Sequence, residues 1–193
     1  VFNTGITGYQ EVLTDPSYHG QLVTFTYPEL GNTGITKDDN ESKSPSVKGV
    51  IVRQFTEKPS NWRTQKAFEQ WLIENQVVGI SGLDTRSLVK HLREYGSMNG
   101  VINSDLRLGS KDLLEKLQDS LPMEGLNLAR EVTTDSSYEW SSVCSVGFDR
   151  RVNNQNNFSY LVAAIDFGIK KSILERFSAY GCKVIVLPAT SDI

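Results

Sequence analysis

Ser17 is the first side chain along the chain with the means to hold a polar ligand. It follows Pro16 in the run Leu13-Thr14-Asp15-Pro16-Ser17-Tyr18, and a serine hydroxyl both donates and accepts hydrogen bonds. Together with its backbone amide, that hydroxyl can meet either end of an amino-acid substrate. The same stretch, from Val1 onward, also reads as a strand, a glycine-containing turn and a short helix or loop with no ligand at all. Lys170 is a second candidate, in Ile165-Asp166-Phe167-Gly168-Ile169-Lys170-Lys171. It follows a strand whose carboxyl end is where open α/β sheets collect ligands. A solvated lysine in the first turn of a helix describes it equally well.

Covalent chemistry has less to work with. The chain has two cysteines and two histidines, too few and too scattered for a disulfide framework or a zinc site. Reduced thiols in a cytosol-like compartment are the default reading. A nucleophilic thiolate needs a histidine and an acidic residue that keep it reactive. Cys144 stands between Val143 and Ser145, and Cys182 opens a buried strand after Gly181. His19 falls in an early loop and His91 on a charged helix face. Asp38-x-Asn40-x-Ser42 has the start of a calcium loop, but Lys43 occupies the position where the sharp turn needs glycine. It reads as a solvated loop. In Asp84-Thr85-Arg86, a helix cap accounts for Asp84. No Gly-x-Gly-x-x-Gly follows the late strand, so a dinucleotide fold has little support.

The elements that would position these residues change character along the chain. Gln21 to Tyr27 alternates as a strand, and Val47 to Phe55 reads as a second, more buried one. Pro28 to Pro45 reads as a long loop. Three helices follow: one capped by Thr64 with Phe68, Trp71 and Leu72 on one face, one capped by Asp84, and one capped by Ser110. The second turns Leu88, Leu92 and Tyr95 inward and stops at Gly96. The third carries Leu113, Leu114, Leu117 and Leu121 before Pro122. Val77–Ile80 and Gly100–Ile102 read as short strands between them. Residues 1–140 thus form an α+β domain, and 141–159, broken by four asparagines, reads as a linker. From 160 onward the pattern is one βαβ unit of a doubly wound sheet: Tyr160–Ile165, a helix over 170–180 with Ile173, Leu174, Phe177 and Tyr180 on one side, and Lys183–Leu187. One such unit cannot cover both faces of its sheet, so the chain is expected to be a fragment of a longer α/β protein.

The wording of several segments resembles one family. Phe2 to Tyr18, including Thr7-Gly8-Tyr9-Gln10-Glu11, is similar to the amino-terminal domain of carbamoyl-phosphate synthase small chains. So are Thr26-Tyr27-Pro28, Gly31-Asn32-Thr33-Gly34, Leu83-Asp84-Thr85-Arg86, Leu92-Arg93-Glu94 and Glu131-Val132-Thr133-Thr134. Asp166-Phe167-Gly168 resembles the opening of the family's class I glutamine amidotransferase domain. Pro59-Ser60-Asn61-Trp62-Arg63 resembles the cyanobacterial and plastid versions. The resemblance implies that Ser17 contacts glutamine bound in the neighbouring amidotransferase domain, and that Lys170 lies near that pocket. It also implies that the nucleophilic cysteine, in a Gly-x-Cys-x-Gly context, and its histidine and glutamate lie beyond Ile193. No catalytic residue is therefore expected in this chain, and the piece alone should be inactive.

The same resemblance implies a large synthetase subunit as partner, which uses ATP, magnesium and bicarbonate to make carbamoyl phosphate for arginine and pyrimidine synthesis. No cofactor or metal is expected in this chain itself. A non-catalytic interaction domain that docks on a synthetase is the alternative. The net charge of −3 argues against a nucleic-acid surface. No apolar run approaches the roughly 20 residues that span a bilayer. The chain opens at Val1 inside a strand, so its natural amino terminus and any targeting segment are expected upstream. Bacterial cytoplasm and plastid stroma both fit.

Overall fold

A computed structural model describes residues 1–105, 107–141 and 160–192. The order of elements is β1 (Phe2–Asn3), α1 (Tyr9–Thr14), β2 (Leu22–Phe25), β3 (Glu29–Leu30), β4 (Gly49–Ile51), β5 (Gln54–Phe55), α2 (Phe68–Glu74) and β6 (Val78–Ile80). Then come α3 (Thr85–Tyr95), α4 (Ser110–Gln118), α5 (Ala129–Val132), β7 (Tyr138–Trp140), β8 (Tyr160–Asp166), α6 (Lys171–Ala179) and β9 (Cys182–Pro188).

The first lobe is built on a four-stranded sheet in the order β1-β2-β4-β6. Every pairing in it is parallel, with Val23 opposite Val50 and Val50 opposite Gly79. Parallel neighbours require a crossover, which α1 supplies between β1 and β2 and α2 between β4 and β6. The mixed α/β character expected from the sequence holds. The irregular alternation expected of this lobe gives way to a parallel sheet whose strands are too short to show a period. Val23, Phe25 and Val50 from the central strands meet Leu13 of α1 and Phe68 of α2, all at most 1% exposed. Burying each such side chain contributes about 1.5–3 kcal/mol, so this contact fixes where α1 lies.

Several expected boundaries shift, each for a local reason. Val47 to Phe55 is not one strand: it breaks after Ile51, and β5 leaves the main sheet to pair with β3. The long loop accordingly contains β3. Thr64 does not cap α2, because its hydroxyl donates to the Thr33 carbonyl at 2.7 Å and the helix starts after Ala67. Asp84 does cap α3, accepting from the Ser87 amide at 3.0 Å, and Gly96 ends it with φ 88°. The inner face of α3 carries Thr85, Val89 and Leu92, while Tyr95 points outward, 66% exposed. On α4 it is Asp112, not Ser110, that closes the start, by accepting from the Gly109 amide. Its Leu114, and Leu121 beyond its end, are exposed. Gly100–Ile102 forms no strand.

The second sheet has the order β7-β9-β8, with β8 and β9 parallel and β7 antiparallel to β9. Residues 138–140 therefore pair with the late strands rather than with the first sheet. Leu174 of α6 packs against Val184 and Val186 together with Val162 and Ala164. Successive strand residues face opposite sides, and Leu161 on the uncovered side is 68% exposed. Among the described residues α6 covers one face of β8 only, as expected of a single βαβ unit. Ile173, Phe177 and Tyr180 are more exposed than their spacing predicts, and Leu174 alone of the four is buried. The linker expected at 141–159 lies, but for its first residue, outside the described residues.

Candidate functional site

Ser17 sits in a single 3-10 turn, Pro16–Tyr18, directly after α1. Asp15 leaves the helix in an extended conformation, and its Oδ1 accepts from the Ser17 amide at 2.8 Å. Pro16 fits the first position of such a turn, where no amide hydrogen is needed. The His19 amide closes the turn on the Pro16 carbonyl at 3.0 Å. The result is an exposed Ser17 whose hydroxyl makes no hydrogen bond among the described residues, while its amide is spent on Asp15. The expectation that both groups are presented to a ligand is corrected to the hydroxyl alone.

The turn after β8 comes up against this one. Asp166 is 6% exposed and its carboxylate is fully occupied by backbone. Oδ1 accepts from the Gly168 and Ile169 amides and Oδ2 from the Thr134 amide, each at 2.8 Å. Asp166 therefore shapes the turn and holds it to the segment after α5, rather than offering itself to a ligand. Gly168 has φ 96°, and a Cβ there would lie 3.0 Å from Pro16 Cβ and 2.9 Å from Val132 Cγ2. Only glycine lets the backbone of the second lobe approach the proline that precedes Ser17.

Lys170 follows that turn. Its Nζ lies 3.7 Å from Asp15 Oδ2, so one carboxylate serves both candidates: one oxygen fixes the Ser17 turn and the other faces the Lys170 ammonium. The Asp15 side chain is 13% exposed and that of Lys170 38%. A half-solvated pair like this contributes at most about 1 kcal/mol to stability. Its effect is placement, since Ser17 and Lys170 come from sequence positions far apart and are joined by one residue. A free hydroxyl and an ammonium at the carboxyl end of a parallel strand can together orient a small molecule that carries a carboxylate and an amine.

No nucleophile stands near them among the described residues. Cys182 is buried in β9, and Cys144 lies outside the described residues. His19 Nε2 is 3.0 Å from Glu131 Oε2, and the His91 ring packs on Tyr95 at 4.6 Å. Neither histidine serves a thiol. The Asp38–Ser42 segment is structural: Asp39 pairs with Arg63 at 2.6 Å, Asn40 accepts from Gln10, and Ser42 donates to the Thr14 carbonyl. Among the described residues no three His, Cys, Asp or Glu side chains converge as metal ligands. No described helix is long and apolar enough to cross a membrane.

Sequence reasoning missed two residues of this site. Asp15 before Pro16 carries the signature of a helix-turn cap and was open to detection. Glu41, which meets the start of α6, gives no local signal, because its partners lie about 130 positions away.

Comparison with known proteins places the chain in one family. A family model described as the carbamoyl-phosphate synthase small chain, CPSase domain, matches residues 1–102. A carbamoyl phosphate synthase small chain of Parasynechococcus marenigrum is 56% identical over 193 residues, covering all of this chain and 50% of the relative. One from Nostoc is 51% identical, again over all of this chain and 50% of the relative. A chloroplastic one from Arabidopsis thaliana is 42% identical over 98% of this chain and 44% of its own length. The chain thus spans about half the length of the curated relatives it matches.

Proposed function

The chain belongs to the carbamoyl-phosphate synthase small-chain family, and from that premise we propose that it is part of a glutamine-hydrolysing subunit. In this reading the first lobe docks on a large synthetase subunit and closes one side of the glutamine pocket. The lobe starting at β8 is the first unit of the class I amidotransferase domain. The intact subunit releases ammonia from glutamine and passes it to the large subunit, which makes carbamoyl phosphate for arginine and pyrimidine synthesis. ATP and magnesium are used by that partner. Bacterial cytoplasm or plastid stroma is the proposed compartment.

The observation that carries the reading is the unpartnered Ser17 hydroxyl, held at the crossing of the two lobes beside Lys170. Ser17 touches glutamine, and Lys170 flanks the pocket as a positive charge. In the complete enzyme, Ser17→Ala is expected to raise the glutamine KM while ammonia-dependent synthesis continues. Losing a hydrogen bond to a charged group costs roughly 1.5–3 kcal/mol, on the order of tenfold to a hundredfold in affinity. Steady-state kinetics with each nitrogen donor checks this, and an unchanged glutamine KM removes Ser17 from the pocket.

A further inference from the structure

Helix α6 begins without a cap of its own. Its N-cap residue Lys170 makes no side-chain capping bond, and the first amides of a helix have no partner within it. Glu41 of the first lobe satisfies two of them. Its carbonyl accepts from the Lys171 amide at 2.9 Å, and its Oε2 accepts from the Ser172 amide at 2.9 Å. A carboxylate at this end also opposes the positive pole of the helix dipole.

Glu41 is itself held firmly to α1. Its amide donates to Thr14 Oγ1 at 2.9 Å, and Thr14 is fully buried. Next to it, the Ser42 hydroxyl donates to the Thr14 carbonyl at 2.6 Å. The buried Gln10 side chain clamps the same loop at both ends, accepting from the Thr36 amide and donating to the Thr36 carbonyl and Asn40 Oδ1. Helix α1 therefore carries Glu41 on its flank and runs on directly into Asp15, Pro16 and Ser17. The separation between Ser17 and Lys170 depends on how α6 is docked, and Glu41 is the residue that holds its first turn.

We propose that Glu41 is a positioning residue for the glutamine pocket: by capping the first turn of α6 across the lobe boundary, it sets Lys170 against the Asp15–Ser17 turn. This rests on the reading of that turn as one wall of the pocket. Glu41 does not touch glutamine. It fixes the spacing of residues that flank it.

The test uses the full-length small chain in complex with its synthetase partner. Glu41→Ala is expected to raise the glutamine KM by about tenfold, the scale of one lost charge-assisted bond. Its kcat and its ammonia-dependent synthesis remain near wild type. Glu41→Gln keeps an oxygen acceptor and is expected to restore most of the KM. In Glu41→Ala, hydrogen exchange at the Ser172 amide, whose acceptor is the deleted carboxylate, is expected to accelerate. If Glu41→Ala does not fold, Glu41→Asp, one methylene too short to reach, supplies the same comparison. A wild-type glutamine KM in the folded alanine or aspartate variant overturns the proposal, whatever exchange shows. So does unchanged exchange at the Ser172 amide. Ser17→Ala measured alongside separates the two ideas: a wild-type KM there with a raised KM in Glu41→Ala removes the Ser17 contact and keeps the role of Glu41.

Discussion

At the scale of single residues, Asp15 divides its two oxygens between two tasks that substitution can separate. Asp15→Asn keeps an oxygen for the Ser17 amide and removes the charge facing Lys170. Asp15→Ala removes both. The alanine variant is expected to lose about 0.5–2 kcal/mol of stability, the usual cost of a lost cap, and the asparagine variant much less, as urea denaturation would report. Glu11 offers a pH test. Burial pushes its carboxyl above the usual carboxylate range, and the nearby charges of Asp39 and Glu41 push the same way. The fold therefore prefers Glu11 protonated. That contribution is fully present below the ordinary carboxylate range and is lost as pH rises through the raised folded value. Glu11→Gln is expected to raise the melting temperature at pH 7 and to change it little near pH 4. A melting curve at each pH decides it. The Asp84 cap was readable from the sequence because an aspartate before a helical period is a local signal. Thr64 was not, since a loop 31 residues earlier competes for its hydroxyl.

At the scale of elements, the turn Asp166–Ile169 determines whether the two lobes can close on each other. Gly168→Ala puts an L side chain at φ 96° and a Cβ within 3.0 Å of both Pro16 and Val132. A strained backbone of this kind costs about 1–3 kcal/mol. The variant is expected to unfold at lower urea; if the proposed function holds, the full-length enzyme carrying it uses glutamine less well, with ammonia-dependent synthesis spared. The strands around this turn were legible where they are continuous and apolar, as β8 and β9 are. Val47–Phe55 was misread as one strand because its apolar run crosses a break that only the pairing of β5 with β3 reveals. The inward side of α6 was overestimated: a helical stripe of four apolar residues says which face can be buried, not how much of it a neighbour covers.

At the scale of the whole molecule, the two lobes are stitched by bonds that span much of the chain. The Ala189 amide donates to Thr133 Oγ1 at 2.8 Å, the Thr134 amide to Asp166, and the Ser172 amide to Glu41. Identity and activity separate at this scale. The described residues hold no thiol within reach of a histidine, so the 193-residue chain is expected to show no glutamine hydrolysis above background. Ammonia release measured on the purified chain checks this, and turnover would require a nucleophile in the undescribed segment. The sequence by itself determined the family, the parallel βαβ start of the second lobe and Ser17 as a candidate, because each rests on local order: residue wording, a short hydrophobic run, a turn signature. Tertiary structure alone decided that the first sheet is parallel throughout, that Asp15 links Ser17 to Lys170, and that Glu41 caps a helix 130 residues away. Those are pairings between distant segments, chosen by how α1 packs on the sheet core, and no local pattern encodes them.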